Sequence, residues 1–170
     1  MNRAGFEGIE KASTEDLMKI VKAYKEALKS GKKFEKMEEV EVDGKTDEEI
    51  GEQIKGGCRR IAVSGVSSVN KDTGRRFCVV PVTVEETLKK QGIRFLDVDG
   101  NGDDTHWGEK VELLFGSGKA NESMKKENDS SKKVDMIKAS CRDLKTAPTT
   151  SGGFNSFLTV ATTYCSIKGK

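Results

Sequence analysis

The prediction of the fold depends on the stretch Phe157-Leu158-Thr159-Val160-Ala161-Thr162-Thr163-Tyr164-Cys165-Ser166-Ile167, near the end of the chain. Alternate residues from Leu158 to Tyr164 would lie on one face of a strand, and those from Thr159 to Cys165 on the other. The stretch is also rich in β-branched residues, which are enriched in strands. It therefore predicts a sheet strand, so that the chain returns to a sheet after its most polar segment.

Six earlier stretches also have the alternation or the composition of strands. Residues 70–74 have the composition of a hairpin connection between two of these stretches. Pro81 places the second of the two at an edge or a strand end, because proline cannot donate a hydrogen bond to a neighbouring strand. The predicted strands are 39–42, 60–66, 76–82, 93–98, 110–115, 134–139 and 157–167.

Three helices are predicted in the first hundred residues, each from a start signal followed by apolar residues at helical spacing. The longest covers residues 14–30, where Ser13 and Asp16 are placed as a capping box. A glycine closes each of the other two helices. Their start signals and closing glycines are Thr46 with Gly56-Gly57 and Thr83 with Gly92.

Seven strands and three helices favour a mainly β (α+β) chain, built as an antiparallel sandwich of the jelly-roll type with short connecting helices. Residues 1–36 are expected to form an N-terminal basic amphipathic helix and residues 37–170 a strand-rich domain. The segment 117–133 contains one large apolar side chain, Met124, and is expected to be a mobile polar loop. The alternative is a ferredoxin-like α+β fold, whose element order residues 39–98 follow.

The composition limits the classes of function that the chain can serve. Its 30 basic and 28 acidic side chains give a net charge of +2, which argues against polyanion binding over the whole surface and leaves local basic patches. No stretch is apolar enough to span a membrane, and residues 1–9 lack the apolar centre of a signal peptide. The four cysteines have no metal-binding spacing and are expected to be reduced and buried, so the predicted location is the cytoplasm.

The acidic stretch Asp97-Val98-Asp99-Gly100-Asn101-Gly102-Asp103-Asp104 resembles the start of a calcium-binding EF-hand loop. The resemblance fails later in the loop, because Asp104 replaces an apolar residue and Gly108 replaces the glutamate that would bind calcium through both oxygens. Two interpretations stay open, a weak calcium site or a solvated turn. No other cofactor is predicted. The residues that would supply the metal ligands are Asp97, Asp99, Asn101 and Asp103.

The single histidine, His106, precedes the single tryptophan, Trp107. A histidine near carboxylates can act as a general base, but the spacing assigns no serine or cysteine nucleophile to it. We predict a structural or surface role for His106, with Trp107 anchoring the end of the acidic stretch on the core. The chain is therefore predicted not to be an enzyme.

Basic side chains are concentrated in two parts of the first half of the chain. Lysines follow the face of the first helix opposite its apolar stripe, and two arginine pairs flank the predicted hairpin. Such patches bind phosphates without reading sequence, because phosphate contacts carry no base information. The residues predicted to contact nucleic acid are Lys22, Lys25, Lys29, Lys32, Lys33, Arg59, Arg60, Arg75 and Arg76.

Part of the chain resembles a viral family. The segment Gly92-Ile93-Arg94-Phe95-Leu96-Asp97 is an apolar strand that ends on aspartate, and Gly152-Gly153-Phe154 leads into the last predicted strand. This order is similar to the core of plant-virus movement proteins of the thirty-kilodalton type, which are similar in turn to single jelly-roll viral coat proteins. The resemblance implies RNA binding without catalysis. Asp97 is the one residue that can be matched to it, although Val98-Asp99 follows where a basic residue is more typical.

These features predict a non-enzymatic structural or binding protein, of viral type, that contacts nucleic acid or partner subunits through basic patches. The expected partners are RNA, bound without sequence preference, and further copies of the chain. The expected location is the cytoplasm, that of the host cell for a viral protein. The alternative function is a calcium-dependent binding module centred on the acidic stretch.

Overall fold

The computed structural model describes residues 6–65, 67 and 70–169. In this part of the chain there are eight α-helices and one sheet of two short strands. The predicted mainly β sandwich of the jelly-roll type is therefore wrong. The ferredoxin-like alternative is wrong as well, because its order needs four strands.

The chain divides into two compact units. The predicted N-terminal helix belongs to the first of them, and the boundary between the units follows Val82. Unit 1 consists of Met1–Val82 and Pro148–Gly152, and unit 2 consists of Thr83–Ala147 and Gly153–Lys170.

Unit 1 contains α1 (Thr14–Lys29), α2 (Asp47–Ser64) and α3 (Asn70–Phe77). The start of α1 agrees with the prediction, because Ser13 Oγ accepts a hydrogen bond from the N–H of Asp16 at 3.1 Å. The predicted apolar stripe of this helix is buried along most of its length. Its buried members are Leu17, Ile20, Val21 and Tyr24.

Three aromatic rings lie in the core of unit 1. The rings of Tyr24 and Phe77 pack edge to face with their centres 5.2 Å apart, and those of Phe34 and Phe77 do so at 4.8 Å. A disulfide between Cys58 and Cys78 joins α2 to the residue that follows α3. The C-terminal end of α3 is therefore held by both packing and a covalent bond.

Helix α2 continues through the glycine pair that was expected to end it, and residues 60–64 of the predicted strand form its last turns. Val66, the last residue of that predicted strand, lies outside the described residues. A Cβ on Gly57 would overlap Met37 Sδ and lie 3.0 Å from the carbonyl oxygen of Lys36. Gly57 thus permits the close approach of a neighbouring turn and does not end the helix.

Helix α3 occupies the predicted hairpin at 70–74 and the start of the predicted strand at 76–82. Asn70, Thr73 and Phe77 are buried at i, i+3 and i+7, which is the spacing of one helical face. Two of these three side chains are polar, so a search for apolar periodicity does not detect the helix.

Unit 2 contains five helices and the two-stranded sheet. The first helix begins as predicted, because Thr83 Oγ1 accepts from the N–H of Glu86 at 3.2 Å and the Glu86 carboxylate accepts from the N–H of Thr83 at 2.7 Å. The helices are α4 (Val84–Lys90), α5 (Asp104–Gly116), α6 (Glu122–Lys126), α7 (Ser130–Lys145) and α8 (Phe154–Tyr164).

The sheet confirms a small part of the strand prediction. β1 (Ile93–Phe95) lies in the predicted strand 93–98 and pairs antiparallel with β2 (Ser166–Lys168), with Arg94 opposite Ile167. Residues 39–42 form no regular element.

The remaining predicted strands of unit 2 are helical. Residues 110–115 lie in α5 and residues 134–139 in α7, while the predicted loop at 117–133 contains α6 and the first turn of α7. Short apolar runs do not distinguish a strand from a partly buried helix, and here tertiary packing selects the helix.

Helix α8 contains residues 157–164 of the strand predicted at 157–167, so this part of the prediction is wrong. The threonines that favour a strand in the prediction form hydrogen bonds to carbonyl oxygens of the preceding helical turn. Thr159 Oγ1, for example, donates to the carbonyl oxygen of Asn155 at 2.9 Å. Such bonds satisfy a threonine hydroxyl within a helix. Phe154 and Ala161 are buried seven residues apart, so the buried face has helical spacing.

All four cysteines form disulfides, one within each unit. The expectation that they are reduced is wrong, although their predicted burial is confirmed. The second bond joins Cys141 in α7 to Cys165, which follows α8. Sequence spacing alone does not give the pairing, because four cysteines allow three connectivities. Among the described residues, no helix is long and apolar enough to cross a membrane.

Candidate functional site

The charges of unit 1 are segregated along its sequence. Residues 19–36 contain seven lysines and two glutamates, whereas residues 38–52 contain eight acidic side chains and one lysine. Helix α1 and the turn after it therefore carry a local excess of positive charge, although the whole chain is nearly neutral.

Three of the nine basic residues predicted to contact nucleic acid are paired with carboxylates of unit 1. Exposed ion pairs contribute little to stability, but they lower the positive potential that a ligand would meet. Arg60 also donates to the carbonyl oxygen of Lys36 at 3.3 Å. The pairs are Lys25–Asp47, Arg59–Glu10 at 2.9 Å and Arg60–Glu39 at 2.8 Å.

Four of the nine remain as exposed lysines. In the described part of the chain, no carboxylate lies within ion-pair distance of them. Arg75 is half-buried, with its guanidinium 5.9 Å from the centre of the Phe6 ring. The four lysines are Lys22, Lys29, Lys32 and Lys33.

Arg76 is the one buried member of the nine, with its side chain 7% exposed. Its Nε donates to the carbonyl oxygen of Thr150 at 3.0 Å, and its guanidinium lies 4.8 Å from the centre of the Phe77 ring and 5.4 Å from that of Phe34. Asp72 is 3.9 Å from Nη1, too far for a hydrogen bond. Burial lowers the pKa of Arg76 from its usual value, although an arginine stays protonated in a protein.

Lys32 lies close to the same guanidinium. A Cβ built on Gly152 would be 3.4 Å from Lys32 Nζ and 3.6 Å from Arg76 Nη1, so both positive groups face the small space beside this glycine. The structure thus brings together two of the nine predicted residues. No local signal in the sequence assigns Thr150 or Gly152 to a site, because Thr150 is 74 residues from Arg76.

The acidic loop, residues 97–104 of unit 2, is closed by an arginine. Arg94 Nη1 and Nη2 donate to the two carboxylate oxygens of Asp103 at 2.8 and 2.7 Å. Asp103 also accepts from the backbone N–H of Asp97 at 2.8 Å. The Arg94 guanidinium is the main cause that lowers the pKa of Asp103 to about 2.

Two other basic residues bind the same loop. Arg142 donates to Asp99 Oδ1 at 2.9 Å, and the buried Lys138 donates to the carbonyl oxygen of Gly100 at 2.9 Å. Lys138 Nζ also lies 3.4 Å from a carboxylate oxygen of Asp104. Lys138 and Arg142 belong to α7, so this helix supplies the loop with the positive charge that a bound cation would otherwise bring.

The predicted metal ligands are arranged differently from an EF-hand. Asp97 Oδ1 accepts from the backbone N–H groups of Asp99 and Gly100 at 3.0 and 2.9 Å, which stabilises a turn. These bonds lower the pKa of Asp97 below its ordinary value. Asn101 is exposed. Within the described residues, no group of three or more His, Cys, Asp or Glu is arranged to hold a metal ion. The calcium site stays a prediction, and the geometry favours the alternative of a turn.

His106 and Trp107 lie in the first turns of α5. Trp107 is buried, and its Nε1 donates to the carbonyl oxygen of Asp97 at 2.9 Å, which agrees with the anchoring role predicted for it. His106 is partly exposed, with Nδ1 3.4 Å from a carboxylate oxygen of Glu109.

Comparison of the chain with protein-family models, curated proteins and solved structures gives no match.

Proposed function

We propose that this protein is a non-enzymatic binding protein that contacts a polyanionic partner through unit 1. One observation carries the proposal: four lysines of α1 and the turn after it are exposed and lack carboxylate partners among the described residues, namely Lys22, Lys29, Lys32 and Lys33. Of the arginines nearby, Arg59 and Arg60 are paired with carboxylates and Arg76 is buried. Side chains that are not neutralised internally are available to a ligand, and a local cluster of them attracts phosphates at long range.

RNA is the polyanion with which we would test this surface first. Filter retention of a single-stranded RNA oligonucleotide by the full chain is expected at low salt, with an affinity that falls steeply as salt is added. Oligonucleotides of different sequence should be retained similarly, because the contacts are to phosphate.

The effect of a lower net charge must be separated from the loss of this particular surface. The variant Lys22→Gln/Lys29→Gln/Lys33→Gln removes three charges from unit 1, and Lys89→Gln/Lys90→Gln/Lys126→Gln removes three from exposed positions of unit 2. RNA retention should be lost in the first variant and kept in the second. Equal loss in both would show a non-specific charge effect and would reject the proposal.

The disulfides bear on where this binding takes place. The predicted cytoplasmic location depended on reduced cysteines, and disulfides persist mainly in oxidising compartments. We therefore propose an oxidising compartment. Alkylation of the protein purified without reductant, followed by mass spectrometry, should detect no free thiol; four free thiols would favour the cytoplasm.

Assembly of several copies remains a separate proposal. Sedimentation with and without RNA tests it, because a protein that coats a polyanion should form larger species when the RNA is present. A single monomeric species under both conditions would limit the chain to a simple binding module.

A further inference from the structure

Arg76 is held in position more firmly than a surface arginine. Its guanidinium lies beside two aromatic rings, and its Nε donates a hydrogen bond to the carbonyl oxygen of Thr150. Two residues later, Cys78 is held by a disulfide. A guanidinium that is already ordered loses little conformational freedom when it binds a ligand.

The terminal nitrogens of this guanidinium lack strong partners. In residues 6–65, 67 and 70–169, neither Nη1 nor Nη2 has a hydrogen-bond acceptor, and the nearest carboxylate, that of Asp72, is 3.9 Å from Nη1. No side-chain nitrogen or oxygen in these residues is both buried and without a partner, and the Arg76 side chain keeps 7% of its surface exposed. A positive group that is nine-tenths buried and only loosely paired favours a bound anion.

The space in front of Arg76 and Lys32 is kept open by Gly152. The N–H of Gly152 forms no hydrogen bond within the described residues, so it remains available as a donor at the same place. The turn around it is ordered, since Ser151 N–H donates to the Pro148 oxygen at 2.9 Å and Thr149 N–H donates to the Val82 oxygen at 2.9 Å.

We infer that Arg76, Lys32 and the turn at residues 149–152 form a binding site for a single phosphate group. The planar guanidinium matches two phosphate oxygens at once, the lysine adds a point charge, and a backbone N–H can bind a further oxygen. The inference rests on the proposed function, because it names the chemical group that the polyanion presents at one defined place in unit 1.

The glycine provides a direct test. The backbone of Gly152 does not have a positive φ, so alanine fits without backbone strain, but its Cβ fills the space between the two positive groups and the ligand. Gly8→Ala is the matched control, because Gly8 is in the same unit, has φ of −71° and has no atom within 4 Å of the added Cβ.

The experiment is a titration of the nitrogen-15-labelled full chain with inorganic phosphate at constant ionic strength, followed by amide chemical shifts. Saturable shifts are expected at Thr150, Ser151 and Gly152. In Gly152→Ala the added Cβ should prevent phosphate from forming two charged hydrogen bonds with the guanidinium, which should weaken phosphate binding at least ~10-fold. Gly8→Ala should bind phosphate as the wild type does. Lys32→Gln, an exposed change, should weaken it as well.

The site is overturned if the shifts at residues 150–152 do not saturate, or if Gly152→Ala binds phosphate as tightly as the wild type. A second arm compares a short RNA that carries a 5′-phosphate with the same RNA lacking it. If the wild type prefers the phosphorylated RNA and Gly152→Ala does not, the site binds a terminal phosphate. If the two RNAs bind equally and Gly152→Ala weakens the binding of both, the site binds phosphates within the RNA strand.

The two proposals fail separately. Phosphate saturation at Gly152, together with RNA retention that ignores Lys22, Lys29 and Lys33, would keep the phosphate site and reject the polyanion surface. RNA retention that depends on those three lysines, without any phosphate shift at residues 150–152, would reject the phosphate site and keep the surface.

Discussion

Arg94 and Asp103 form a two-point ion pair in which each terminal nitrogen of the guanidinium donates to a different carboxylate oxygen, at 2.8 and 2.7 Å. Asp103 is 7% exposed, and it also accepts the backbone N–H of Asp97. One carboxylate thus joins the strand that enters the acidic loop to the residue that precedes α5. The loop depends on Asp103 for its shape.

Asp103→Asn should destabilise unit 2. Asparagine has nearly the same shape but cannot accept both guanidinium bonds, so we expect the free energy of unfolding to fall by about 2 kcal/mol. Urea unfolding followed by the fluorescence of Trp107, the only tryptophan, measures this change. Asp99→Asn is the control: its ion pair with Arg142 is exposed, and its loss should cost less than about 0.5 kcal/mol. Equal effects of the two substitutions would contradict the structural role of Asp103.

The same ion pair predicts a dependence of stability on pH. The pKa of Asp103 is lowered from 3.8 to about 2 in the folded chain, chiefly by Arg94. A carboxyl with a depressed pKa stabilises the fold fully above its unfolded pKa and loses that contribution as the pH falls through its folded pKa. The unfolding free energies of the wild type and Asp103→Asn should therefore converge as the pH falls from about 4 to about 2. A constant difference over this range would refute the assignment.

Local signals near helix starts were predictable from the sequence, whereas most of the fold was not. Ser13, Thr83 and their acidic partners act over three residues, so a pattern detects them. The buried face of α3 includes the polar residues Asn70 and Thr73, so the apolar spacing of a helix is missing there. The threonines of α8 favour a strand by composition, but their hydroxyls form hydrogen bonds within the helix.

The candidate site was predictable in part for a similar reason. The basic residues are visible in the sequence, and the predicted contacts include Lys32 and Arg76. Their common neighbour, Gly152, is brought to them by a return of the chain, which no local spacing encodes.

The glycine pair in α2 offers a comparison between adjacent positions. Gly57→Ala should destabilise the protein by about 1–3 kcal/mol, because its Cβ would overlap Met37 Sδ and press on the Lys36 carbonyl. Gly56→Ala should be neutral or stabilising by up to about 1 kcal/mol, since its Cβ meets only Arg60 Nη1 at 3.8 Å and alanine favours helix. Chemical denaturation of both variants tests this. If both glycines tolerate alanine equally, the close approach of α2 to the turn at Lys36 is wrong.

The disulfide in unit 2 should contribute measurably to stability. Cys141 and Cys165 are 24 residues apart. Closing a loop of this length lowers the conformational entropy of the unfolded chain, which stabilises the folded state by about 3 kcal/mol. Cys141→Ser/Cys165→Ser should lower the free energy of unfolding by this amount, measured through Trp107 fluorescence. The double variant should also lose the additional sensitivity to reductant that this bond gives the wild type. A wild type whose unfolding is unchanged by reductant would show that the bond does not form.

Calcium should have little effect on the wild-type protein. Both oxygens of Asp103 are bonded to Arg94, and Asp99 is paired with Arg142, so an entering cation must displace positive groups that already neutralise the loop. Calorimetric titration to about millimolar calcium, the range of weak extracellular sites, should give no saturable heat and no rise in melting temperature. Arg94→Gln/Arg142→Gln leaves these carboxylates without their basic partners and serves as the matched variant, in which calcium should stabilise the loop. A saturable response of the wild type that disappears in Asp97→Asn would instead establish the cation site predicted from the sequence.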